Sequence, residues 1–266
     1  MKIFQILCIL GLLWSASEAR SLEAIQKSGY VNIGLYDGAL LGKYDENGTF
    51  WGFNEIFAKR IAQDLDVELR ALLVPPEKRL EYVKFDRVDI LLANFTQTPQ
   101  RAEQVDFALP YMRVFLGVIS RADAAIENEE QFHYKIVCAV EGSSAHEYLM
   151  EHFDSTVKIH TKPGNEEILG ELQNGKCDTL IMDNTQALAW AHDHAGYVVK
   201  LAKLGAMEVI APAIRKGNFE LLRWLNAEIR ALGGENYFHT LYDETLKELF
   251  GDALEADDVV IEGGRL

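Results

Sequence analysis

Three short segments carry the side chains best suited to chemistry. In Asn94-Phe95-Thr96-Gln97-Thr98-Pro99-Gln100-Arg101 an arginine can form a two-pronged pair with a carboxylate, and Thr96 adds a hydroxyl donor. In Glu141-Gly142-Ser143-Ser144, small polar residues stand where a helix begins, so unpaired N–H groups there can face an anion. Asp183 supplies the opposite charge and can accept hydrogen bonds from an ammonium. Together these groups suit a small zwitterion with its carboxylate and ammonium on one carbon, which is a free amino acid. Each segment also has a plainer reading. Arg101 can be a surface ion pair at a helix start, Thr98 the cap of a helix opened by Pro99, Ser143 or Ser144 another cap, and Asp183 a turn or cap residue.

The elements that must position these segments alternate. From Tyr30 onward, β-rich runs at 31–36, 68–74 and 88–93 are separated by helical periodicity at 54–65 and 78–85. A second set follows, with strands at 135–140, 157–161 and 178–182 and helices at 144–153 and 166–174. The pattern predicts an α/β fold with two similar lobes, each a mostly parallel sheet flanked by helices. The extended apolar runs 115–121 and 209–215 are candidate crossovers and contain no Gly/Ser tether, so the lobes should be joined by two ordered hinge strands. Lobe one is expected to comprise 20–113 and 211–266, and lobe two 114–210. All three segments follow the carboxyl end of a strand, where open α/β sheets bind ligands.

Composition narrows the function classes. Lys2 and the apolar run Ile3 to Trp14, followed by Ser17-Glu18-Ala19, read as a secretory signal peptide over 1–19. The run is shorter than the roughly 20 residues of a spanning helix, which makes a membrane anchor the weaker alternative. The formal charge of −15 argues against nucleic acid as a partner. Cys138 and Cys177 lack zinc-like spacing, so no metal or cofactor is expected. They read as buried free thiols, with a disulfide as the alternative. No nucleophile with a base and no paired carboxylates stand out, and His146, His160, His192, His194 and His239 are scattered.

Taken together, the segments resemble the polar amino-acid family of periplasmic solute-binding proteins that serve ATP-binding cassette (ABC) importers. Further motifs carry the likeness: Asp45-Glu46-Asn47-Gly48 leading to Gly52-Phe53, Val88-Asp89-Ile90, Gln104-Val105-Asp106-Phe107 with Pro110-Tyr111, and Asn174-Gly175-Lys176-Cys177-Asp178. Ala93 to Pro99, Val209-Ile210-Ala211-Pro212-Ala213 and the tail 256–264 look like the cysteine-binding branch known from epsilon-proteobacteria. The resemblance implies a two-lobed binding protein of the periplasm that closes on an amino acid, with cysteine favoured, and presents it to a membrane permease; a monomer is the default expectation. It also implies that Arg101, Thr96 and the N–H of Ser144 hold the α-carboxylate, that Asp183 and the carbonyl of Asn94 hold the ammonium, and that Arg79 lies near the side-chain end. Residues 37–44 depart from the Pro-Pro-Phe-Gly stretch of many relatives, leaving Tyr36, Trp51 or Phe53 to supply an aromatic wall. Two alternatives share this fold. One is a cyclohexadienyl-dehydratase-like enzyme using Asp37, Glu77 or Glu141, and the other is a receptor for a separate signalling partner.

Overall fold

The computed structural model of the chain describes residues 20–36, 43–44, 50–251 and 253–265, with 43–44 and 50–51 as backbone. The expected signal segment 1–19, Asp37 and the Trp51 side chain lie outside the described residues.

The first half opens with a short helix, α1 (Leu22–Ser28), capped by the Ser21 hydroxyl, and strand β1 (Tyr30–Leu35). A two-residue pair, β2 (Lys43–Tyr44) and β3 (Phe50–Trp51), leads to α2 (Phe53–Asp64) and β4 (Glu68–Leu73). The expected helix at 78–85 is split into a 3-10 turn, Pro76–Lys78, and α3 (Arg79–Lys84). Pro75 and Pro76 supply no N–H donors, so the chain tightens before the α-helix starts. Then come β5 (Ile90–Leu92), α4 (Pro99–Ala102), β6 (Val105–Phe107) and the long β7 (Met112–Arg121).

The second half contributes β8 (Ile136–Val140), α5 (Ser144–His152), β9 (Lys158–Lys162), α6 (Asn165–Gln173), β10 (Thr179–Asp183) and α7 (Asn184–Asp193). The return strand β11 (Tyr197–Ile210) is followed by β12 (Ala213–Arg215) and the helices α8 (Phe219–Gly234) and α9 (Tyr237–Thr245). Among the described residues, no helix is long and apolar enough to cross a membrane.

These strands form two five-stranded sheets, in the orders β4-β1-β5-β12-β6 and β11-β7-β10-β8-β9. Parallel pairing fills one half of each sheet, β4-β1-β5 and β10-β8-β9. The other half is antiparallel, because β7, β11 and β12 belong to the outward and return passes of the chain. The sheets are therefore mixed rather than mostly parallel throughout. β7 and β11 pair with each other from Met112–Ile210 to Arg121–Tyr197, with register shifts along the way. The return pass is longer than the apolar run 209–215 suggests. Lys200, Lys203 and Glu208 interrupt the apolar pattern, and Pro212, which lacks an N–H, separates β11 from β12.

Each sheet has its own core. Phe53, Phe57, Tyr111 and Phe238 are fully buried beside the first sheet, with the Phe57 and Phe238 rings edge-on at 5.0 Å. Phe53 is thus a core residue rather than part of a binding wall. Leu116, Val118, Phe132 and Ile181 pack on one face of the second sheet, and Ile119, Leu180 and Trp190 on the other. On that second face Cys138 and Cys177 are joined by a disulfide, with Cα atoms 5.8 Å apart. This corrects the free-thiol expectation. β8 and β10 are parallel neighbours, so Cys138 and the residue that leads into β10 arrive within bridging distance.

Candidate ligand-binding site

The cavity between the sheets is lined by residues that follow strand carboxyl ends: Pro76 after β4, Asn94 to Arg101 after β5, Ser143 to Ala145 after β8, Asn165 after β9, and Asp183 and Gln186 at the end of β10. Parallel strands place all these ends on the same side, which is why segments far apart in sequence converge.

The loop after β5 is fixed from below. Asn94 has a left-handed backbone, φ 51°, which asparagine tolerates better than most residues. Its buried side chain accepts from Asn54 Nδ2 at 3.4 Å, and Asn54 accepts from the Tyr111 hydroxyl at 2.8 Å. A bridge between Thr96 and Ile210, with the Gln97 N–H donating to the Val209 carbonyl at 2.9 Å, ties the loop to β11. Thr98 caps α4 by accepting from the Arg101 N–H at 3.3 Å, and Pro99 occupies the first turn.

Two arginines reach the cavity from this half. Arg101 donates to the Thr96 carbonyl at 2.9 Å and, across the cleft, to the Gly142 carbonyl at 3.1 Å, and its guanidinium lies 4.8 Å from the Phe95 ring centre. Arg79 donates to the Asn94 carbonyl at 3.2 Å and lies 4.7 Å from the Tyr36 ring centre. Among the described residues its buried Nε has no hydrogen-bond partner. Burial lowers both guanidinium pKa values, Arg79 to about 10, well above neutral pH.

From the other half come donors and an anion. Ser143 caps α5 by accepting from the His146 N–H at 3.2 Å and donates to the Val140 carbonyl at 2.7 Å. Gly142 holds a left-handed turn, φ 71°, just before this helix start. Ser144 is buried at the first position of α5, beside Glu208 of β11. Asp183 stands at the start of α7 but makes no side-chain capping bond, so its carboxylate is free of that role. α7 packs close to β7 because Gly117 has no side chain there. A Cβ on Gly117 would come within 2.7 Å of the Asn184 Cα. Burial, reinforced by the nearby Glu208 charge, lifts the Asp183 carboxyl to about 6 despite Arg79 and Arg101. Burial also raises the Glu208 carboxyl.

Arg101, Thr96, Asn94, Ser143, Ser144, Asp183 and Arg79 all line one cavity. Tyr36 is buried behind Arg79, and its hydroxyl accepts from Asn165 Nδ2 at 2.6 Å. Sequence reading missed Asn165, Gln186, Met182 and Pro76 in the lining, as well as Glu208 beside it. Asn165 and Gln186 follow strand ends, and the rule that found Ser144 could have flagged them. Nothing in the sequence marks Glu208, which is an interruption within a strand. Of the carboxylates considered for an enzyme, Glu77 and Glu141 are exposed and outside the cavity lining. No metal-ligating cluster of His, Cys, Asp and Glu occurs among the described residues.

Comparison with known proteins gives this arrangement a relationship. The chain superposes on a cysteine-binding protein from Campylobacter jejuni with a TM-score of 0.86 and 42% identity, covering 91% of this chain and 98% of that one. It superposes equally well, TM-score 0.86 at 35% identity, on a solute receptor for L-cysteine of Neisseria gonorrhoeae, covering 91% and 100% of the two chains. A putative amino-acid ABC transporter-binding protein, YhdW, of Escherichia coli (strain K12) is 24% identical over 240 residues, 83% of this chain and 70% of that protein. Residues 33–248 match the family model of bacterial extracellular solute-binding proteins, family 3, and with two lobes closing on a cavity of paired charges, the chain belongs to that family.

Proposed function

We propose that the chain is a non-catalytic receptor that binds free cysteine in the cleft and delivers it to the permease of an ABC importer. One observation carries the reading: Arg101 and Asp183, opposite charges from different sheets, line a single cavity together with the start of α5. The Campylobacter and Neisseria relatives named for cysteine support the choice of cargo, and YhdW supports the importer. Arg101, the Thr96 hydroxyl and the Ser144 N–H would hold the α-carboxylate, and Asp183 with the Asn94 carbonyl would hold the ammonium. Arg79 and Tyr36 would lie toward the side-chain end of the ligand. The assignment gives lobe one as 20–113 and 211–266 and lobe two as 114–210, turning on β7 and β11 as hinges. The receptor would act as a monomer in the periplasm after removal of 1–19.

Titration calorimetry tests the proposal. Mature protein is stripped of ligand by partial unfolding and refolded, then titrated with the twenty amino acids, cystine and prephenate, and each sample is assayed for product. One-to-one binding of cysteine without turnover is the expected result. Preference for another amino acid would reassign the cargo, and conversion of prephenate would replace the receptor with an enzyme.

A further inference from the structure

Two cavities meet at one wall. The inner one, with Arg101 and Asp183, is the smaller, about 40 Å3. The outer one, between the end of β4 and the start of α6, has about 300 Å3 and is lined by Tyr36, Leu73, Val74 and Glu166 among others. Pro76 and Asn165 are the residues that line both. Asn165 is held in this position from two directions. Its Nδ2 donates to the Tyr36 hydroxyl across the cleft at 2.6 Å and to Gln186 Oε1 at 3.0 Å. Arg79, whose guanidinium lies over the Tyr36 ring, lines the inner side.

We propose that Asn165, bonded to Tyr36 and backed by Pro76, is a length filter that limits the closed site to amino acids with one-carbon side chains and excludes longer ones, including the disulfide-linked dimer cystine. The inference rests on the reading of the cleft as an amino-acid site. A short side chain ends inside the inner cavity and leaves the Asn165–Tyr36 bond intact. A longer one reaches the wall, so closure must break that bond. Breaking a part-buried polar contact to admit a ligand adds a cost that apolar fit alone does not carry. The outer cavity can hold the excess length once the wall is removed, so the filter lies in one contact rather than in the dimensions of the whole cleft.

The test is calorimetric titration of wild type, Asn165→Ala and Tyr36→Phe with cysteine, serine, methionine and cystine, in oxygen-free buffer without reductant. Tyr36→Phe removes one hydroxyl and keeps the ring under Arg79, so it serves if Asn165→Ala fails to fold. Wild type should bind cysteine or serine and reject methionine and cystine. In each variant the ratio of the methionine Kd to the cysteine Kd should fall by about tenfold or more. A wild type that binds methionine or cystine as tightly as cysteine overturns the filter while leaving the amino-acid reading in place, as do variants with an unchanged ratio. A preference for serine over cysteine sinks the cysteine assignment and leaves the filter standing. Absence of binding to any of the four amino acids in a folded wild type overturns both.

Discussion

The loop after β5 and the helix starts after β8 and β10 face each other across one cavity, but they are held differently. On the first side the cations are already committed: Arg101 bonds the Thr96 carbonyl and Arg79 the Asn94 carbonyl, above a buried Tyr111–Asn54–Asn94 chain. On the second side Asp183 has no capping bond, and its carboxyl sits at about 6. Its sheet packs on two smaller cores and is cross-linked by Cys138–Cys177. One side therefore holds its cations in place before any ligand arrives, and the other holds a carboxylate of raised pKa whose ionised form an ammonium would favour. That asymmetry gives closure a driving force that depends on ligand, as a population shift requires.

The largest effect should come from the pre-organised side. Arg101→Ala should cost about 2–5 kcal/mol of binding, because a buried carboxylate loses its partner. Calorimetric affinity near that of wild type would mean the carboxylate lies elsewhere. Next is the cross-linked side. Replacing Cys138 and Cys177 with serine frees a loop with a sequence separation of 39 residues and should remove about 2–4 kcal/mol of stability in denaturant unfolding. Because neither cysteine lines the cavity, ligand affinity should change far less than stability, and an equal loss in both would erase the distinction between the two sides.

The pH response should be smaller and should isolate Asp183. Its folded carboxyl is raised from 3.8 to about 6, so the empty native protein retains a proton that the unfolded chain releases. Stability of the empty protein therefore declines as pH rises between those values, and the full penalty is present above about 6. A bound ammonium favours the ionised form, so affinity should weaken by up to about tenfold per unit as pH falls below about 6. Titrations in two buffers of different ionisation heat should show proton release at pH about 5.5. Asp183→Asn should bind weakly with a flat pH profile, and an unchanged slope in that variant would transfer the titration to Glu208. The smallest effect is Thr98→Ala, which removes the α4 cap and should cost about 1 kcal/mol in thermal unfolding.

Much of this site was legible along the chain. Ile90 to Ala93 is apolar and buried, so the loop that follows had to lie at a strand end, and Thr96 and Arg101 could be read from that position once the other two segments were set beside them. Ser143 and Asp183 were legible for the same reason. The second wall of the site was not. Asn165 follows a strand that is polar and half-exposed, Lys158–Lys162, and its partner Tyr36 is 129 positions away. Glu208 lies beside Ser144 on a β11 that runs the length of β7 with shifted register, and local periodicity does not encode register.

The sequence by itself determined the alternation of strands and helices, the donor types at the strand ends and the acidic surface, because each depends on neighbouring residues and on burial pattern. Only the tertiary structure decided that Cys138 and Cys177 bridge, that Phe53 is core, and that Asn165 bonds Tyr36 across the cleft. The first two depend on distances within one assembled sheet and its core, and the third on segments that meet only when the two sheets come together.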